Sequence, residues 1–135
     1  MLTSLNLRRT LHVGWPVIAV WLALAAGVGF AQAKQDFTVR AFKYGYAVNG
    51  GGAEIRVHQD DLVRITFSAE DIPHSLTLED ETYRIMRRAE PGKPVVFEFR
   101  ADKPGRFPFR CTLTADPGCR EMHGVLIVEP KRSPR

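Results

Sequence analysis

Several patterns by which chemistry usually shows itself are missing from the sequence. There is no Gly-x-Ser-x-Gly elbow to present a nucleophile, no glycine loop to cradle phosphate, and no basic-aromatic stripe to follow a nucleic acid. The first two absences speak against an enzyme, and the third against a nucleic-acid partner. Charge does not restore the nucleic-acid case. The pI of 9.4 rests on scattered residues, and Arg87-Arg88 and Lys131-Arg132 read as solvated edges. Sustained helical apolar stripes, internal repeats and low-complexity tracts are also absent, which excludes helical bundles and solenoids. Cysteine is scarce, with only Cys111 and Cys119.

One long apolar run is present, from Val13 to Phe30, and it lies near the N-terminus. Arg8 and Arg9 precede it and Ala31-Gln32-Ala33 follows it, the basic start, apolar middle and small-x-small end of a secretory signal. Cleavage is expected after Ala33, with residues 1–33 as the signal and residues 34–135 as one exported, periplasmic domain with a modest core. The rival reading keeps the run as an uncleaved anchor facing outside the cytoplasm, since 18 apolar residues just span a bilayer. Losing Arg8 and Arg9 leaves a mature net charge of +2. Both cysteines stay in the exported part, where thiols either pair or hold metal.

The mature chain alternates with period two. Phe37, Val39 and Ala41 lead, followed by Ile55 and Val57; Val63, Ile65 and Phe67; Val95, Phe97 and Phe99; and Phe107, Phe109 and Cys111. Val125–Val128 adds a short apolar run. Turn signals separate these pieces at Asn49-Gly50-Gly51-Gly52, Gln59-Asp60-Asp61, Glu90-Pro91-Gly92-Lys93-Pro94 and Lys103-Pro104-Gly105. Such spacing predicts seven or eight short strands in an all-β, antiparallel sandwich or barrel. The tail from Pro130 to Arg135 is expected to fray.

Metal-type donors gather in two segments. His74 stands in Ser68-Ala-Glu-Asp71-Ile-Pro73-His74-Ser75-Leu76. Cys111, Cys119, Met122 and His123 share a loop between two strands. Thiolates, a thioether and an imidazole suit copper, Cu(I) above all, better than a hard cation. Zinc accepts Cys and His as well, but the close cysteine pairing of structural zinc sites is missing.

Three segments together resemble a cupredoxin. They are Asp61–Phe67 running on to Pro73-His74-Ser75-Leu76, then Pro104-Gly-Arg-Phe-Pro-Phe-Arg-Cys111, then Met122-His-Gly124-Val-Leu-Ile-Val128. The nearest pattern is the CuA domain of cytochrome c oxidase subunit II and nitrous oxide reductase, whose loop reads Cys-x3-Cys-x3-His-x2-Met-x-Gly. The resemblance implies a Greek-key β-sandwich and places ligands at His74, Cys111 and Met122, with the loop glycine at Gly124. It breaks at two positions. The second bridging cysteine falls on Ala115, and the loop histidine falls on Cys119. A binuclear CuA centre is therefore not expected. In this register His123 points away from the site, and registers that use it as a ligand fit less well.

Two functional readings follow. In the first, the protein binds one copper ion through His74, Cys111, Cys119 and Met122, for copper carriage or electron transfer with a periplasmic redox or copper-trafficking partner. In the second, Cys111 and Cys119, which the resemblance brings together, form a disulfide worth about 2–3 kcal/mol. The protein is then a metal-free binding or assembly module. Met122 then serves as core packing. His58 reads as a solvent-facing strand residue, Tyr44 and Tyr46 as core or sheet residues, and Glu79-Asp80-Glu81 as a solvated turn.

Overall fold

A computed structural model describes residues 32–133. The leader, its cleavage site and the rival anchor fall outside the described residues, apart from Gln32 and Ala33. Among the described residues no helix is long and apolar enough to cross a membrane.

The strands follow the alternation. They are β1 (Lys34–Phe42), β2 (Gly45–Val48), β3 (Glu54–His58), β4 (Leu62–Ala69), β5 (His74–Leu78), β6 (Ile85–Ala89), β7 (Val95–Arg100), β8 (Gly105–Arg110) and β9 (His123–Glu129). A 3-10 helix, Pro117–Glu121, lies between β8 and β9. One sheet runs β2-β1-β4-β7 and the other β3-β9-β8-β5-β6, making the expected sandwich. The described residues hold nine strands, where seven or eight were expected, because β2 and β6 do not alternate: β2 is buried at three consecutive positions and β6 only at its two ends. The sandwich is also not wholly antiparallel. β1 runs parallel to β4 and β3 parallel to β9. Alternation reports which face a residue takes, but not the direction of its neighbour.

The inner faces are filled by the alternating residues. Val39, Ala41, Val63, Ile65, Phe67, Ile55, Val57, Leu76, Phe109 and Leu126 are all essentially inaccessible. Each large aliphatic or aromatic side chain contributes about 1.5–3 kcal/mol through burial. β5 departs from simple alternation, because all five of its residues are buried. His74, Leu76 and Leu78 are spaced to share one face, while Ser75 and Thr77 take the other. There the two hydroxyls join Thr112 in a hydrogen-bonded cluster, with Thr77 Oγ1 3.0 Å and Ser75 Oγ 3.2 Å from Thr112 Oγ1. Buried polar side chains are tolerated there because they satisfy one another.

Gly124, the second residue of β9, lies under a close approach. A Cβ there would run into the Phe109 ring and come within 2.9 Å of the Ala53 carbonyl oxygen. The loop glycine is thus demanded by packing. At the far end of β9 the tail is tied down at least as far as Arg132. Lys131 pairs with Asp60 at 2.6 Å and Arg132 with Asp61 at 3.3 Å.

Candidate metal centre

The site forms where three strand ends meet. His74 is the first residue of β5, Cys111 directly follows β8, and Met122 directly precedes β9. β8 lies between β5 and β9, with Arg110 opposite both Thr77 and His123, so these ends reach the same pole of the sandwich. Cys119 arrives from the 3-10 helix. Asp116 caps that helix, its carboxylate accepting the Gly118 N–H at 2.9 Å, and Pro117 stands at its start. Met122 closes the turn, donating its N–H to the Cys119 carbonyl at 3.2 Å and accepting the Cys111 N–H at 3.4 Å.

His74, Cys111 and Cys119 each offer a donor atom, and the three atoms lie within 4.8 Å of one another, all buried. Cys111 and Cys119 are joined as a disulfide, with Cα atoms 5.3 Å apart. Met122 is fully buried beside them. His123 is exposed and stands outside the cluster, as the register implied, and Ala115 is exposed too.

The electrostatics concentrate on His74. Its Nε2 lies 2.7 Å from Asp71 Oδ1. That carboxylate also accepts the Ile72 N–H at 2.8 Å and, through Oδ2, the Lys43 N–H at 2.7 Å. Desolvation opposes ionisation of Asp71, but the bonds from His74, Ile72 and Lys43 outweigh it and hold its carboxyl down at about 2. An ionised carboxylate only accepts, so Nε2 must donate. The neutral ring then carries a bare lone pair on Nδ1. Nδ1 is buried and has no hydrogen-bond partner. A buried polar atom without a partner costs roughly 1–3 kcal/mol. A metal bound at Nδ1 would remove that cost, and a carboxylate on the far nitrogen is the arrangement that orients a ligating histidine.

The sulfur side is prepared as well. Cys111 Sγ receives the Ser75 N–H at 3.4 Å and the Ser75 hydroxyl at 3.7 Å. With the disulfide reduced, the donor set would be one imidazole nitrogen, two thiolates and the adjacent thioether, a soft set that fits copper.

No family model matches the sequence, and no curated protein does. Solved structures do match. The periplasmic domain of subunit II of cytochrome oxidase from Bradyrhizobium japonicum is 17% identical, with a TM-score of 0.63 over 73% of this chain and 86% of that one. Subunit II of cytochrome c oxidase, caught in a mixed disulfide with a thioredoxin-like protein, is 15% identical with a TM-score of 0.60, over 78% of this chain and 88% of that one. Copper nitrite reductase from Nitrosomonas europaea is 26% identical with a TM-score of 0.54, over 73% of this chain but only 42% of that one. The chain has a cupredoxin fold.

Within this fold, His74, Cys111 and Cys119 come together at one pole with Met122 buried at the same loop, but sequence reasoning missed the groups that support them. Asp71 was visible only as a residue three before His74. Ser75 and Thr112 look like ordinary strand polars. Tyr44, read as core or sheet, is 49% exposed, and its ring lies against Gly118, where an added Cβ would collide with it. Its hydroxyl reaches Asp116 at 3.4 Å. His58, read as solvent-facing, is partly buried and pairs with Glu129 at 3.1 Å. In the acidic turn Glu79 accepts Arg110 at 2.8 and 2.9 Å, as befits a solvated edge.

Proposed function

We propose that this is an exported cupredoxin that, with its disulfide reduced, binds a single copper ion for copper carriage or electron transfer. His74 Nδ1, Cys111 and Cys119 would be the central ligands, with Met122 as a further soft donor. The observation that carries the reading is the unpartnered, buried Nδ1 of a histidine that Asp71 orients and whose ring joins both sulfurs in one buried donor cluster. Two thiolates and a thioether favour Cu(I). A disulfide removes both thiolates at once, so metal affinity would follow the thiol state. Copper would be absent from the oxidised form and held by the reduced one. In this reading the protein carries copper or transfers electrons rather than catalysing a reaction, and the periplasm of its structural neighbour is a fitting location.

A Cu(I) competition assay on the reduced and oxidised protein tests this directly. The reduced protein should bind one equivalent far more tightly. Its Cu(II) form should not show the mixed-valence spectrum of a two-copper centre, because Ala115 supplies no second bridge. Cys119→His should move the site towards ordinary Cu(II)-thiolate colour. The disulfide also favours the second reading, a metal-free module stapled between Cys111 and Cys119. Equal affinities in the two thiol states would exclude Cys119 as a ligand and favour that module.

A further inference from the structure

The hairpin that joins β1 to β2 belongs by its ladder to one sheet, yet its residues touch each segment that carries a donor at the copper pole. Its arms pair Ala41 with Tyr46 and Phe42 with Gly45. The Ala41 carbonyl accepts the Glu70 N–H at 2.9 Å, and the Lys43 N–H donates to Asp71 Oδ2 at 2.7 Å. The loop that leads into His74 therefore lies along the hairpin. Tyr46 is buried and reaches across the sandwich. Its ring stands edge-on to Phe109 of β8 at 5.1 Å, and its hydroxyl donates to the Ser75 carbonyl of β5. Tyr44, the residue after Lys43, is half-exposed and lies against Gly118, the residue before Cys119. A Cβ added to Gly118 would overlap the Tyr44 ring. The Tyr44 hydroxyl extends to Asp116, the cap of the same 3-10 turn, at 3.4 Å.

We propose that the β1–β2 turn is the seat that sets where Cys119 stands relative to His74, with Tyr44 as the positioning residue on the sulfur side. Its meaning for metal binding rests on the copper reading; the placement itself does not. Lys43 holds Asp71 and through it the imidazole. Tyr44 holds Gly118 and Asp116, and through them the short turn that brings Cys119. Because Lys43 and Tyr44 are neighbours in one turn, the two donors move apart only if that turn changes shape. The turn that carries Cys119 needs an outside support. It is a single 3-10 turn, and its residues Pro117, Arg120 and Glu121 face solvent, so it packs little of itself against the core. The hairpin is firmly based in turn, with Tyr46 anchored to β5 and β8. Donors held in place before an ion arrives need little ordering when it binds, and that is how a group that touches no metal raises affinity. Glycine at 118 belongs to the same device, because the ring leaves no room for a side chain there.

The test is a double-mutant cycle between Tyr44 and Gly118, read first without metal. In copper-free protein, equilibration with dithiothreitol measures the effective concentration of one thiol at the other, and hence the placement of Cys119. Tyr44→Ala should lower the equilibrium constant for closing the disulfide about tenfold, which is about 30 mV in potential. Tyr44→Phe keeps the ring and should stay near wild type. Gly118→Ala should lower the constant as well, by forcing ring and turn apart. Added to Tyr44→Ala it should cost little more, since the ring it would strike is gone. Melting of the reduced variants checks that each is folded. Additive losses in the cycle, or a wild-type constant in Tyr44→Ala, would overturn the proposal. Cu(I) competition on the same reduced proteins should rank them in the same order. A cycle that behaves as described in a protein that binds no Cu(I) would sink the copper reading and leave the seat standing, and tight Cu(I) binding with an additive cycle would do the reverse.

Discussion

The two poles of the sandwich hold polar groups in opposite ways. At one pole His74, Cys111, Cys119 and Met122 are buried, and one nitrogen lone pair is left uncommitted. At the other, Asp60, Asp61, Arg100, Lys131 and Arg132 surround an open cavity of about 530 Å³. That pole is richer in charge, yet its charges answer one another. Lys131 and Arg100 meet Asp60, Arg100 also meets Asp102, and Arg132 meets Asp61. Asp61 in addition accepts the His58 N–H at 3.0 Å, fixing the turn into β4. Paired charges of this kind contribute little beyond local order. In the proposed reading, binding capacity would lie where coordination is unsatisfied, at the histidine–cysteine pole.

The comparison can be broken most directly through copper affinity. His74→Ala or Cys111→Ala in the reduced protein should weaken Cu(I) binding by about 100-fold or more, while Lys131→Ala and His123→Ala should leave it nearly unchanged. If Lys131→Ala mattered as much as His74→Ala in the same competition assay, the division between the poles would be wrong.

A smaller effect is expected at the support of the ligand. Asp71→Asn keeps the shape but loses the obligatory acceptor for Nε2, so copper affinity should fall by about 10- to 100-fold. Melting of the oxidised protein checks that the fold survives. Retained affinity would show that the carboxylate does not select Nδ1 as the donor.

Stability should respond in the reverse sense. Asp61→Ala leaves the partly buried His58 N–H without its acceptor and should cost about 1–2 kcal/mol in denaturant unfolding. Copper binding by the folded fraction should be unaltered. A loss of copper with no loss of stability would reverse the roles assigned to the two poles.

The least effect is expected on the outer strand face. Hydrogen bonding from Arg56, opposed by desolvation, holds the Glu129 carboxyl below the usual range. A depressed carboxyl contributes stability above the unfolded range and loses it as pH falls through the folded value. Glu129→Gln should therefore lower the melting temperature slightly at neutral pH and converge on wild type in acid, a small effect because the group is exposed and screened. A large drop near neutral pH would show that this edge carries more of the fold than its exposure implies.

Much of the fold was legible because strand periodicity is local. Val63, Ile65 and Phe67 announce β4 by alternation alone, and Ile55 with Val57 announces β3. Gly45–Val48 and Ile85–Ala89 were less legible because the first is buried at three consecutive positions and the second is buried only at its two ends, so neither alternates. The candidate donor positions could be read because the loop spacing from Cys111 to Gly124 matches a known pattern. The groups that hold His74 and the 3-10 turn in place could not be read. Lys43 is 28 positions from the carboxylate it meets at Asp71, and Tyr44 is 72 from Asp116.

By itself, then, the sequence determined the class of the protein and the identity of its donors, since alternation and loop spacing are properties of contiguous residues. Tertiary structure alone decided the state and orientation of those donors. It set Cys111 and Cys119 within bonding distance, turned Nε2 of His74 onto Asp71 and left Nδ1 bare inside the pole. Those outcomes depend on where β5, β8 and the 3-10 turn converge, and convergence is set by the packing of the two sheets as a whole.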